Sequence, residues 1–209
     1  MKLIKSISYD QHDIINSIIK LHCKTNIELD PTYGNGNFYK DKVKEPKFKF
    51  DITPKFNDVI KADVTILPVK NNSITTVIFD PPFLATKGKS LKIDNGSNVI
   101  NKRFGVFPTE KELHSFYINS LKELYRILKL KGVLIFKCQD KISSGTQYLS
   151  HNLIINEAEK IGFYIKDIFI LLAKQRIIAD WQLKNQKNAR KFHCYFLVLE
   201  KYNKKVKYI

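Results

Sequence analysis

Acidic residues are scarce in this 209-residue chain: 20 Asp and Glu stand against 36 Lys and Arg, a formal charge of +16. An excess of that size implies an anionic partner, either a nucleic-acid backbone or an anionic membrane surface. Cysteine is also rare. Cys23, Cys138 and Cys194 are odd in number, far apart and without a C-x-x-C pair, which excludes a disulfide framework and a zinc knuckle and suits a reducing cytosol. No run approaches the ~18 apolar residues of a spanning helix. Met1 to Asp10 reaches an acid before an apolar leader segment can form, so the expectation is a soluble, cytoplasmic protein with no membrane partner. With 8 Gly and 7 Pro against 44% hydrophobic residues, long disordered segments have little room, and no internal repeat or low-complexity stretch is present.

The length fits one domain, residues 1–209, around a single core. Short apolar or β-branched runs at 26–30, 47–51, 74–80, 133–138, 163–171 and 192–200 alternate with helical or turn segments. That order builds an α/β fold on a mostly parallel central sheet. No helix-length crossover joins the last two runs, which predicts an antiparallel C-terminal strand. Thr109 and Glu112 form a capping box for a helix that carries Leu113, Phe116, Tyr117, Leu121, Leu124, Ile127 and Leu128 on one face, and Gly132 reads as its stop signal. A second helix is expected over 151–160, ending at Gly162.

Two segments, 84–106 and 172–191, fit neither period and read as basic loop insertions. Residues 172–209 hold ten Lys/Arg against Asp180 and Glu200, and residues 84–106 hold five against Asp94. These 61 residues therefore carry 12 of the 16 excess charges. A/T-biased codon usage accounts for abundant Lys, Asn and Ile, but a uniform bias does not concentrate charge in this way.

The sharpest chemical signal is Phe79-Asp80-Pro81-Pro82-Phe83, directly after the apolar run 74–79. Ligands of open α/β sheets sit outside the carboxyl ends of strands, so the motif lies at the right edge for a site. An exocyclic amine on a base is a poor nucleophile because its lone pair is delocalised into the ring. A carboxylate such as Asp80 accepts one N–H and the Pro81 carbonyl the other, which draws the nitrogen toward tetrahedral geometry. Two prolines, with fixed φ and no N–H, hold that carbonyl in place, and Phe83 offers a face on which an extruded base stacks. Taken alone, Asp-Pro-Pro is equally a rigid strand exit with Phe83 in the core.

Upstream, Asp30-Pro31-Thr32-Tyr33-Gly34-Asn35-Gly36 follows the first strand signal, with glycines at alternate positions that let the backbone approach a ligand. Asp51 ends the second strand signal, where a ribose-binding acid is expected, and Ala62-Asp63 opens the run to Leu67-Pro68. These signals in this order resemble the class I S-adenosylmethionine-dependent methyltransferases. The Asp80-Pro81-Pro82-Phe83 tetrad resembles that of the amino-methyltransferases that modify adenine N6 or cytosine N4 in DNA. The resemblance is specific over residues 25–83. It implies a Rossmann-like methyltransferase fold and S-adenosyl-L-methionine as cofactor. Asp30, Pro31, Tyr33, Gly34 and Gly36 match the motif that cradles its methionine part. Asp51 matches the acid on the ribose hydroxyls, and Ala62 and Asp63 match the adenine contact. It also implies catalysis by Asp80, Pro81, Pro82 and Phe83. The stretch from Gly36 to the second strand signal is short and holds Pro46, so the first helix is expected to be abbreviated, exposing the cofactor or weakening its hold.

The function that follows is methyl transfer to a base amine, adenine N6 in DNA first. RNA adenine N6 or guanine N2, DNA cytosine N4, or an inactive nucleic-acid-binding relative are the alternatives. Lys87, Lys89, Lys102, Arg103, Lys174, Arg176, Lys187, Arg190 and Lys191 are the candidate phosphate contacts. With 32 Lys and 4 Arg, such contacts supply affinity rather than base reading, so a homodimer or a partner subunit is a candidate for target recognition. Phe136-Lys137-Cys138-Gln139 lacks the proline of cytosine-C5 enzymes, and Cys138 reads as a buried structural thiol. Gln139 and Asp140 lie at a strand end and are candidates for substrate contact. His22-Cys23 and His193-Cys194 lack metal-ligand spacing and read as buried strand residues, so no metal site is expected. Phe116 and Tyr117 read as packing residues, and Trp181 as a candidate stacking residue or a packing residue of its loop.

Overall fold

The computed structural model describes residues 3–40, 42–85, 107–143, 145–175, 184 and 186–202. Their strands are β1 (Ile7–Ser8), β2 (Leu29–Asp30), β3 (Phe48–Asp51), β4 (Ile60–Lys61), β5 (Ile74–Phe79), β6 (Leu128–Cys138), β7 (Lys141–Ser143), β8 (Thr146–Tyr148), β9 (Phe163–Leu172) and β10 (His193–Lys201). Eight of them form one sheet in the order β1-β9-β10-β6-β5-β2-β3-β4, and β7 and β8 pair as a separate hairpin. Neighbours are parallel throughout β6-β5-β2-β3-β4, while β10 lies antiparallel between β6 and β9, the expected reversal at the C-terminus. Among the described residues no helix is long and apolar enough to cross a membrane.

Both faces of the sheet are covered, so its central strands read as continuous apolar runs. Along β5 and β6 the alternation of side chains sorts the core into two halves. Val77, Phe79, Leu134 and Phe136 pack with Leu113, Leu121 and Leu124 of helix α2 (Glu110–Ile127) and with Ile154 and Ala158 of α3 (Ser150–Ile161). Ile78, Val133 and Ile135 face the other way, onto Ile14, Ile15 and Ile18 of α1 (Gln11–His22) and onto Phe38 and Tyr39. Thr109 caps α2 as its capping box predicts, accepting from Glu112 N at 3.2 Å.

Three local features differ from the expectation. Helix α2 does stop before Gly132, but β6 starts at once at Leu128, so Gly132 lies inside a strand. A Cβ there would stand 2.8 Å from the Lys129 carbonyl oxygen and 3.1 Å from that of Thr75. The glycine thus permits a close approach at an irregularity where Lys131 takes φ 62° and the β5–β6 register shifts. The segment that leads to α1 also holds a cap: the Asp10 carboxylate accepts from His12 N at 2.8 Å. His22 therefore ends a helix rather than lying in a strand, and its Nε2 sits 2.8 Å from Asp167. Finally, the described residues of 31–46 form turns and no helix, so the first helix of the fold is absent there rather than abbreviated. Phe38, Tyr39 and Val43 of these turns fill the space a helix would cover.

Candidate active site

Because β5, β2, β3 and β4 run parallel, their carboxyl ends gather at one edge. Asp80 follows β5, Asp30 ends β2, Asp51 ends β3, and Asp63 lies two residues past β4. The chain runs outward from β2 to β4 and then crosses back to β5, so Asp30 and Asp80 flank the point where strand order reverses. A crevice forms at such a point, because the connections on its two sides lead away from one another.

The stretch from Asp80 to Phe83 is held at several points. Asp80 N donates to Thr32 Oγ1 at 3.0 Å, Tyr117 Oη donates to the Pro82 carbonyl at 2.8 Å, and Lys141 Nζ donates to the Phe83 carbonyl at 2.5 Å. Lys141 is paired in turn with the buried Glu110 at 2.9 Å. The Pro81 carbonyl takes no hydrogen bond from any described residue. Asp80 Oδ2 accepts from Lys137 Nζ at 3.1 Å, with the Asp80 side chain 29% exposed. Of these partners, Tyr117, Lys137, Lys141 and Glu110 were not marked as site residues in the sequence. Tyr117 is a core residue, as its periodicity says, but its hydroxyl reaches the motif. Lys137 had a signal, a lone cation inside the apolar run Val133 to Cys138.

The turn after β2 bends through Gly34 and Gly36, at φ 57° and 63°. Gly34 N donates to Asp51 Oδ2 at 2.8 Å and Tyr33 N to the Phe50 carbonyl at 3.0 Å, which closes the turn against β3. Asp51 Oδ1 accepts from Thr53 N at 2.8 Å, so each carboxylate oxygen keeps one lone pair for a further donor. Ala62 N donates to the Asp51 carbonyl at 3.0 Å, placing the two outer acids side by side. Asp63 Oδ1 accepts from Thr65 N and Oγ1, both at 2.8 Å, while Oδ2 accepts from no described residue and is left for an outside donor. Ile52 and Ile66, next to these acids, are 60% and 75% exposed. Two acceptors flanked by bare aliphatic surface suit a ligand that is flat and apolar with donors at its rim. Arg126 and Glu123 of α2 anchor the segment beyond Asp63: Glu123 accepts from Leu67 N at 2.6 Å, and Arg126 donates to the Val69 and Leu67 carbonyls at 2.8 and 3.1 Å.

Asp30 differs from the other acids. It is 1% exposed and takes hydrogen bonds from Tyr39 Oη at 2.7 Å and Thr32 N at 2.9 Å. Burial pushes its carboxyl up to about 7; the bonds from Tyr39 and Thr32 oppose this, and the charge of Asp80 adds to it. Pro31 is buried, and the Tyr33 ring stacks on Tyr39 at 5.5 Å with its hydroxyl on Glu45 at 2.8 Å. Burial and the Glu45 carboxylate raise the Tyr33 hydroxyl to about 12.

Farther along the edge, Gln139 Nε2 donates to the His193 carbonyl at 2.7 Å and Asp140 is 4% exposed. The Asp140 carboxylate sits 2.8 Å from His151 Nδ1, so both residues hold the fold together rather than standing open to substrate. Cys138 is fully buried and burial pushes its thiol well up, as a structural thiol requires. Lys174, Lys187 and Arg190 are exposed and Lys191 is half-buried. Lys87, Lys89, Lys102, Arg103, Arg176 and Trp181 lie outside the described residues.

The sheet order, with its antiparallel strand inserted between β6 and β9, is that of a Rossmann-like methyltransferase fold. Solved structures share it. A protein designated a methyltransferase from Bacillus halodurans C-125 matches at TM-score 0.50 and 11% identity, over 90% of this chain and 99% of that one. TrmN from Thermus thermophilus matches at TM-score 0.50 and 14% identity, over 93% of this chain and 50% of that one. A second Thermus thermophilus protein, designated a DNA modification methylase and solved in complex with S-adenosyl-L-methionine, matches at TM-score 0.47 and 15% identity over 71% of this chain. The chain spans about half the length of that protein, 56%. At these identities the likeness is one of fold. No family model and no curated protein matches the chain.

Proposed function

We propose that this protein is an S-adenosylmethionine-dependent methyltransferase acting on the exocyclic amine of a nucleic-acid base, adenine N6 in DNA first. The observation that carries the reading is the pair of acceptors at the strand reversal. The Asp80 carboxylate and the Pro81 carbonyl take no backbone partner among the described residues, while the Pro82 and Phe83 carbonyls beside them are already bonded. Two acceptors one residue apart fit the two N–H bonds of a primary amine. The half-buried Phe83 ring supplies the face on which the extruded base stacks.

The residues present also fit the cofactor. In this reading Asp51 accepts from the ribose hydroxyls, Asp63 Oδ2 accepts from the adenine amine, and Ile52 and Ile66 cover the ring. The turn through Gly34 and Gly36 lies against the methionine end, and Asp30 sits beneath it. When bound, the cofactor would supply an electrophilic methyl group to the amine lone pair; Asp80 and the Pro81 carbonyl would hold the two N–H bonds of that amine, and the proton lost after transfer would pass to water. The protein's part is positioning, because the electrophile is already reactive and no covalent intermediate is needed. DNA is the proposed partner, met in the cytoplasm, with Lys174, Lys187, Arg190 and Lys191 and the basic stretch 84–106 on its phosphates.

The test is transfer of a labelled methyl group to DNA and to RNA, followed by digestion to nucleosides and identification of the modified base by mass. Wild type is expected to label DNA as N6-methyladenine and Asp80→Ala to label neither polymer. Labelled RNA, or labelled cytosine, replaces that part of the proposal. Equal failure of wild type and Asp80→Ala on both polymers overturns it. Cofactor is also expected to raise the melting temperature, and Asp51→Ala to abolish the rise.

A further inference from the structure

Lys137 is a cation in a place built for an apolar side chain. It lies on β6 two residues after Ile135, on the face whose core includes Phe38, Phe196 and Val133. Its side chain is 13% exposed, and its Nζ stands 5.0 Å from the Phe38 ring centroid, 5.6 Å from that of Phe196 and 6.0 Å from that of Phe83. Within this aromatic surround Asp80 Oδ2, at 3.1 Å, is the described carboxylate it meets. Taking an ammonium out of water is costly, and the ring faces together with one carboxylate offset that cost. Packing alone does not call for it, since methionine fills the same slot with no ion to desolvate. What the ammonium adds is a fixed donor at one oxygen of Asp80.

We propose that Lys137 is the positioning residue of this site: it holds Asp80 Oδ2 so that the other oxygen faces the incoming amine. The inference rests on the functional reading above and deepens it. Asp80 is fixed at its backbone by Thr32, yet a carboxylate turns about its side-chain bonds unless one oxygen is tied down. Lys137 supplies that tie and also touches Phe83, so the acceptor and the stacking face share one support. Asp80, the carboxylate Lys137 meets, also acts on Asp30 across the strand reversal, where the like charge of Asp80 adds to the upward push on the Asp30 carboxyl. A positive group on Asp80 offsets part of that repulsion. Lys137 acts only through Asp80 and exchanges no atom with the substrate.

The experiment compares wild type with Lys137→Met, Lys137→Arg and Lys137→Gln. Displacement of a reacting group by about 1 Å costs on the order of 100-fold. Lys137→Met is therefore expected to lower kcat by about 100-fold while KM for cofactor and for DNA stays within about threefold. Lys137→Arg, which keeps the charge and a donor, is expected to recover most of the loss, and Lys137→Gln, which keeps a donor alone, part of it. A rise in KM with kcat intact, or a Met variant as fast as wild type, overturns the proposal. Crystal structures of wild type and Lys137→Met form a second arm that needs no turnover. The Asp80 carboxylate is expected to rotate away from β6 in the variant, and an unmoved carboxylate overturns the proposal. If wild type methylates no polymer, the functional reading falls and this crystallographic arm alone decides the positioning. If Lys137→Met does not fold, Lys137→Gln takes its place in both arms.

Discussion

Asp30 makes the stability of this protein depend on pH in the direction opposite to that of most carboxylates. Its side chain is sealed under the turn of residues 31–36, 1% exposed, and its carboxyl is raised to about 7 against 3.8 for a free aspartate. Below pH 4 the group is protonated in both folded and unfolded chains and contributes nothing to the pH dependence. As pH rises from 4 to 7 the unfolded chain releases the proton while the folded one retains it, so stability falls with pH across that window. Above 7 both forms are ionised and the loss is complete. A shift of this size corresponds to a loss on the order of 4 kcal/mol, a large fraction of the stability of a domain this size.

Asp30→Asn isolates that contribution. The amide keeps an acceptor for Thr32 N and is neutral at every pH. Urea unfolding of wild type and variant, followed by circular dichroism from pH 4 to pH 8, gives two stability curves whose difference cancels all other titrations. The difference is expected to move against wild type between pH 4 and 7 and then level off. A difference curve flat across that range refutes the argument. The same titration bears on ligand binding under the proposed function, because an ionised Asp30 favours a cationic amine above it. Cofactor affinity in wild type is then expected to rise as pH passes 7, and in Asp30→Asn to stay level.

Gly36→Ala places a Cβ 2.7 Å from the Tyr33 hydroxyl at φ 63°. The left-handed backbone alone costs about 1–2 kcal/mol, and Tyr33 must leave Glu45, so urea denaturation is expected to show at least that loss; a change under about 0.5 kcal/mol removes the turn from the structural account. Charge reversal at the exposed Lys187 and Arg190 is expected to weaken nucleic-acid binding and to reduce the slope of log affinity against log salt by about 2. Unchanged affinity moves the binding surface away from residues 187–190.

The parts of the fold that could be read in the sequence are those in which chemistry and geometry are local. Asp30, Asp51 and Asp80 each follow their own apolar run, and parallel pairing then brings them together without further instruction, whereas Asp63 follows the exposed pair Ile60–Lys61, which no apolar run announces. The helix α1 was hidden because its signal is short. Only Ile14, Ile15 and Ile18 are buried, and an Asp10 cap resembles any surface aspartate until its bond to His12 N is seen. Gly132 misled because a glycine after a helical stripe has two uses, and the register shift that demands it involves Thr75, more than fifty residues earlier. Lys137 and Tyr117 belong to the same class: their partners Asp80 and Pro82 are remote in sequence, and periodicity assigns both to the core.

The lack of a helix between β2 and β3 among the described residues bears directly on how a cofactor is held. Methyltransferases of this fold ordinarily follow their glycine turn with a helix, whose N-terminal N–H groups are free donors. Here the Gly34 N–H is already committed to Asp51, and the Gly36 N–H to the Tyr33 carbonyl at 2.9 Å. The turn therefore provides close backbone approach, while fewer donors face the ligand. At the other end, Asp63 Oδ2 is unengaged by any described residue and Ile52 and Ile66 are bare. Under the proposed function, binding is weighted toward the adenosine half, with the methionine half held chiefly by the charge of Asp30. Asp30, an acid whose ionisation burial opposes, thus becomes the group on which orientation of the sulfonium depends, which ties the pH behaviour of stability to that of catalysis.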